Sequence, residues 1–260
     1  MSNESNAKTI TVAVVLSVVC SIALAAAVTL LKPIQDANRA LDKQRKILAA
    51  AGVLAEGEGS PDQVHARFEK LERYLVDLDT GDYRRISLDD RFDQRKATKV
   101  PGQSVQLTAS QDVAGLKRRA LQADVYVLRG DDGRLSRLVL PVSGYGLWST
   151  LYGYLVLGSD GNTVEGITFT EHAETPGLGG EVDNPKWQAG WVGKQVYGAD
   201  GQPLLALRKG VNPDKPEAIH QVDALSGATL TSNGVSHLVQ FWMGDLGFRK
   251  FLDKIRATGV

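Results

Sequence analysis

Hydrophobic positions follow three different rhythms along this chain, and each predicts a different element. From Ile10 to Leu31 they are continuous: ITVAVVLSVVCSIALAAAVTLL, 22 residues without a charge. A helix of that length spans about 33 Å, enough to cross a bilayer core. A cleaved signal peptide competes with this reading, because ALAAA at Ala23–Ala27 offers small residues to a peptidase. The apolar part of a signal peptide is shorter, however, about 7 to 15 residues, so the length favours an uncleaved anchor.

A helical rhythm follows from Ile34 to about Leu54, as a stalk continuing the anchor, and GEGSPD (Gly57–Asp62) interrupts it. Val64, Phe68, Leu71 and Leu75 then recur on one face of a second predicted helix. Residues 80–109 are polar and weakly periodic, which predicts loops, and the stretch near Ser110–Leu121 reads as helix. Strand alternation begins at Val125. VYVLRGDDGRLSRLVLPV, LYGYLVLGSDGNTVEGITFT and KQVYGADGQPLLALRKG (residues 125–142, 151–170 and 194–210) each place two apolar runs around a turn. Val235, Leu238, Val239 and Trp242 mark a late helix. The pattern predicts an α+β protein: a tail (1–9), one transmembrane helix (10–31), a helical and loop-rich segment (32–122) and a domain on an antiparallel sheet (123–260).

Charge and cysteine content narrow the function. Thirty basic and thirty acidic residues cancel, which gives no electrostatic case for nucleic acid. The single cysteine, Cys20, lies in the apolar run, so the remainder has no disulfide, thiolate metal cage or thiol nucleophile. Four histidines (65, 172, 220 and 237) stand at no metal-site spacing. No G-x-S-x-G supports a serine hydrolase, and HAE at His172–Glu174 lacks the downstream P-C-x-x-C of zinc deaminases.

Three short stretches carry candidate chemistry. HAETPGLGGE (His172–Glu181) holds Gly177, Gly179 and Gly180, which permit close backbone approach to a ligand but fit neither GxGxxG nor the P-loop. A tight structural loop and a ligand loop explain it equally well. GLW (Gly146–Trp148) sets an aromatic beside glycines, an arrangement more often found in a core than as a cofactor platform. DALSGATLTSNG (Asp223–Gly234) places Ser226, Thr229, Thr231 and Ser232 on a turn leading into the late helix, more hydroxyls than one helix cap needs.

That last stretch resembles the acceptor motif D-x-x-S-G-A-T of the FMN-binding domains that a flavin transferase modifies. ETPGLG (Glu174–Gly179) is similar to the second signature of those domains, and GLW sits where the family touches its flavin. With one N-terminal span and this length, nearly the whole chain resembles the C-subunit family of the sodium-translocating NADH:quinone reductase. The resemblance implies FMN held by a phosphoester to Thr229. It also implies a cofactor-binding set of Asp223, Ser226, Gly227, Ala228, Leu147, Trp148, Glu174, Thr175, Gly177, Leu178 and Gly179. Thr229 would then lie just before a helix N-terminus, where free amides and the macrodipole favour a phosphate. Ser226, Thr231 and Ser232 would serve as phosphate ligands and cap, and Asp223 would help the transferase engage the Thr229 hydroxyl.

The implied function is electron relay from a membrane iron–sulfur centre to the next flavin subunit. The partners would be the other membrane subunits of that complex and the flavin transferase. Two alternatives stay open: the equivalent subunit of the related ferredoxin:NAD reductase complex, and a membrane-anchored ligand-binding module without redox function. The family implies a single-pass protein of the bacterial inner membrane with its flavin domain in the periplasm. The flanking charges point the other way. Lys8 precedes the span, whereas Lys32, Arg39, Lys43, Arg45 and Lys46 follow it, which by the positive-inside rule would keep the domain in the cytoplasm.

Overall fold

The computed structural model describes residues 6–55 and 57–258. The chain divides into two units, one ending at Lys43 and the other beginning at Gln44. Helix α1 (Asn6–Ala50) is continuous through Pro33. Its apolar side chains from Ile10 to Leu31 are exposed, and it is the one helix, among the described residues, long and apolar enough to cross a membrane.

In the second unit, α1 ends with Ile47 and Leu48 buried, and Lys46 donates to the Phe169 carbonyl at 3.0 Å. Helix α2 (Pro61–Phe68) starts on a capping box: Ser60 and Gln63 exchange side-chain and backbone bonds, and Pro61 occupies the first turn. It stops sooner than its apolar spacing predicts. Leu71 lies beyond its end, and Leu75 belongs to strand β1 (Glu72–Asp77). The run Arg73–Val76 pairs on both edges, with β2 (Tyr83–Ile86) and with β5 (Gln122–Arg129). Two ladders outcompete one more helical turn.

The chain continues through α3 (Gln94–Ala97), β3 (Ser104–Gln106) and β4 (Arg118–Ala120) before β5. The helix expected near 110–121 does not form. Asp112 accepts from the amides of Leu116 and Lys117 at 2.6 and 2.8 Å, Gly115 and Lys117 take positive φ, and the segment ends in β4. Asp112 thus offers those amides a partner that a helix cannot match at that point.

Strands β6 (Leu135–Tyr145), β7 (Thr150–Gly158) and β8 (Val164–Glu171) complete an antiparallel sheet of order β2-β1-β5-β6-β7-β8. The first two predicted hairpins are therefore present, and β1 and β2 bring residues ahead of 123 into the same sheet. The third is not a hairpin. After α4 (Pro185–Ala189), the two predicted runs meet at a single isolated bridge, Tyr197 with Pro203, while Gln195 bridges to Thr163 instead. Strand β9 (Ala206–Arg208) instead pairs in parallel with β10 (Gln221–Asp223), since Pro203 cannot donate to a continuing ladder.

Helices α5 (Thr229–Met243) and α6 (Arg249–Thr258) close the fold. Val235, Leu238, Val239 and Trp242 of α5 are all buried. Contact with β6 is backbone-close: a Cβ on Gly144 would lie 2.7 Å from Leu238 Cβ, and Trp242 Nε1 donates to the Ser143 carbonyl at 2.7 Å. The end of β6 and the start of α5 are thereby held side by side.

Candidate functional site

At the end of β6 the chain turns through Gly146–Ser149 into β7. Three successive amides of this turn point at one carboxylate. Glu174 accepts from Leu147 N at 3.1 Å, Trp148 N at 3.0 Å and Ser149 N at 3.4 Å, while Thr231 Oγ1 of α5 donates to its other oxygen at 2.6 Å. Glu174 is only 5 % exposed. Burial pushes its carboxyl up, but the Thr231 hydroxyl and the Trp148, Leu147 and Ser149 amides outweigh that and hold it below the usual 4.5. An ionised carboxylate is the acceptor this nest of amides requires.

Two motif glycines are shaped by that carboxylate. A Cβ on Gly146 would lie 2.6 Å from Glu174 Oε1, and one on Gly179 would lie 2.6 Å from Thr231 Oγ1 and 2.8 Å from Glu174 Oε2. These positions make room for Glu174. Gly177 differs: its φ is +75° and its surroundings are open, so the turn itself demands glycine there. The Thr175 carbonyl accepts from Leu178 N and Gly180 N, closing the ETPGLG loop. Behind it, His172 Nδ1 accepts from Glu174 N at 3.2 Å while its Nε2 lies 2.9 Å from Asp183 Oδ2, and Ser149 Oγ accepts from Ala173 N at 2.8 Å.

Thr229 is the first residue of α5 and is exposed. Ala228 precedes it, and among the described residues no side chain caps the helix start. Gly227 takes φ +69°, and a Cβ there would come within 3.0 Å of Leu178 Cδ2, which sets the glycine loop against the acceptor turn. Ser226 is exposed. Asp223 is exposed, accepting from Val211 N through its side chain and from Trp187 Nε1 through its carbonyl. GLW, ETPGLG and the acceptor turn, up to 83 positions apart from Gly146 to Thr229, therefore converge at the N-terminal end of α5.

Two hydroxyls have other tasks than their place in the motif suggests. Thr231 is 1 % exposed and committed to Glu174. Ser232 is 3 % exposed, accepting from Leu225 N and donating to the Ala228 carbonyl, so it staples the turn rather than facing a phosphate. Glu174, expected to touch the cofactor, has its oxygens occupied by protein donors. Trp148 is not core: it is 63 % exposed, and Leu147, Leu178 and Leu230 are exposed as well. Leu230 lies outside the residues that the motifs single out. Its signal in the sequence is an apolar side chain between two hydroxyl residues on a helix whose buried face lies elsewhere.

An exposed hydroxyl on an uncapped helix start, near exposed apolar side chains on neighbouring loops, fits a phosphate joined to a flat aromatic ring. The class follows: an FMN-binding protein with an N-terminal helix long and apolar enough to cross a membrane, and residues 146–244 match the FMN-binding domain family. Across 98 % of both chains it is 49 % identical to the C subunit of the Na(+)-translocating NADH-quinone reductase of Pseudomonas aeruginosa. It is 47 % identical to that of Vibrio vulnificus across 100 % of this chain and 99 % of the relative. The crystal structure of Shewanella oneidensis NqrC superposes with a TM-score of 0.75 at 38 % identity, covering 83 % of this chain and 96 % of that one. The chain belongs to the family of C subunits of the Na(+)-translocating NADH-quinone reductase, and is a subunit of an oxidoreductase complex.

Proposed function

We propose that Thr229 carries FMN as a phosphoester, and that this chain relays electrons from a membrane iron–sulfur centre to the next flavin subunit while the complex expels sodium. The observation that carries the reading is the exposed Thr229 hydroxyl at the uncapped first position of α5. The first-turn amides and the macrodipole hold a phosphate there, and the Asp223 carboxylate stands at the entrance of the same turn. Bound FMN supplies reversible one-electron chemistry. Trp148, Leu147, Leu178 and Leu230 supply an apolar surface for its ring, and Gly177 and Gly227 give the two flanking loops their left-handed turns. Covalent attachment keeps the cofactor from being lost by dilution.

An exported flavin transferase would load Thr229, so the domain lies in the periplasm and the helix within the inner membrane. The test is denaturing electrophoresis of the membrane-extracted chain. Flavin fluorescence should stay with the wild-type band and vanish in Thr229→Ala. Loss of fluorescence from both bands would contradict covalent attachment, and retention in both would contradict the residue.

A further inference from the structure

Three consecutive backbone amides converging on one point ordinarily bind an anion from outside. Here the chain fills that nest with its own side chain. Glu174 is delivered by the ETPGLG loop, receives Leu147 N, Trp148 N and Ser149 N from the β6–β7 turn, and receives the Thr231 hydroxyl from the first turn of α5. Three segments distant in sequence thus meet at one buried carboxylate. Its neighbours leave no slack, because Gly146 and Gly179 both border it where a Cβ would collide. On one side of this junction stands the exposed Trp148, and on the other, two residues before Thr231, stands Thr229.

We propose that Glu174 is a positioning residue, a clamp that fixes the Trp148 turn against the first turn of α5 and so sets the surroundings of the group carried by Thr229. The amide nest is consequently not the phosphate site: its acceptor position is taken, and the phosphate falls to the α5 terminus. The proposal rests on the Thr229 reading for what the clamp positions, but the clamp itself is a property of the unloaded chain.

Thr231→Val is the sharpest probe, since it keeps the shape and removes one donor to Glu174. Thr231→Ser should restore that donor, and Glu174→Gln replaces an acceptor oxygen with a donor facing amides. In the full-length chain made without flavin transferase, amide exchange at Leu147, Trp148 and Ser149 should speed up by roughly tenfold in Thr231→Val and Glu174→Gln. Exchange along β7 should be unchanged, and Thr231→Ser should behave as wild type. In the loaded chain, the flavin midpoint potential should shift in Thr231→Val and return in Thr231→Ser. Unchanged exchange at 147–149, a uniform acceleration that includes β7, or an unmoved potential would each overturn the clamp. A chain carrying no flavin on Thr229 would instead fail the Thr229 reading, leaving the exchange comparison to decide the clamp alone.

Discussion

Gly179 and Thr231 stand so close that only a hydrogen fits between them: a Cβ on Gly179 would lie 2.6 Å from Thr231 Oγ1. Gly177, two residues earlier in the same loop, has open surroundings and φ +75°. The two glycines should therefore fail differently. Gly177→Ala should cost about 1–2 kcal/mol, the strain of a side chain in the left-handed region. Gly179→Ala should cost more and should also break the Thr231–Glu174 bond, since the colliding atoms are held from both sides. Urea unfolding of the two variants checks the order, and equal losses would contradict it.

Thr229→Ala should change folding stability by no more than about 0.5 kcal/mol, because the side chain is exposed and caps nothing. The same urea midpoint as wild type in the flavin-free state is the expected result.

Glu174 makes stability depend on pH in a defined direction. Its carboxyl is held below the usual 4.5, so between that value and its lower folded-state value the unfolded chain binds more protons than the folded one. The contribution is complete above 4.5 and is lost as pH falls through the folded value. The stability difference between wild type and Glu174→Gln should be level at neutral pH and shrink below about 4.5. A difference that grows on acidification would contradict the assignment.

Arg73 is the buried cation of the sheet, 5 % exposed, donating to Asp124 at 3.1 Å and to the carbonyls of Leu88, Asp90 and Phe92. Arg73→Ala should cost about 3–5 kcal/mol by leaving Asp124 buried without this partner. Thermal unfolding should show it. A near-neutral effect would mean that Asp124 is satisfied without Arg73.

Local patterning makes much of this fold readable, and long-range pairing hides the rest. The apolar run 10–31, the alternation in β5–β8 and the 3.6-residue spacing of α5 each declare themselves in a short window. Leu75 does not, because only pairing with β2 and β5 makes it a strand residue. The segment at 110–121 has a helical pattern, and Asp112 captures its amides instead. At the site, the acceptor turn and its Thr229 are legible as a motif, as are GLW and ETPGLG. Which of their polar groups turn inward is not. Thr231 and Ser232 look equivalent to Ser226 in sequence, yet helix phase buries the first two, whereas Ser226 lies exposed on the turn before α5.

The domain should face the periplasm, against the count of Lys and Arg flanking the span. Of two reporters fused after Val260, the one active only outside the cytoplasm should give signal. Signal from the cytoplasmic reporter alone would overturn both the topology and the proposed route of flavin loading.

Peptide mass mapping of the membrane-extracted chain decides whether Thr229 is the flavin acceptor. The peptide containing DALSGATLTSNG should carry the mass of one FMN less one water, with fragmentation placing it on Thr229. The same mass on Ser226, Thr231 or Ser232, or an unmodified peptide, would contradict it.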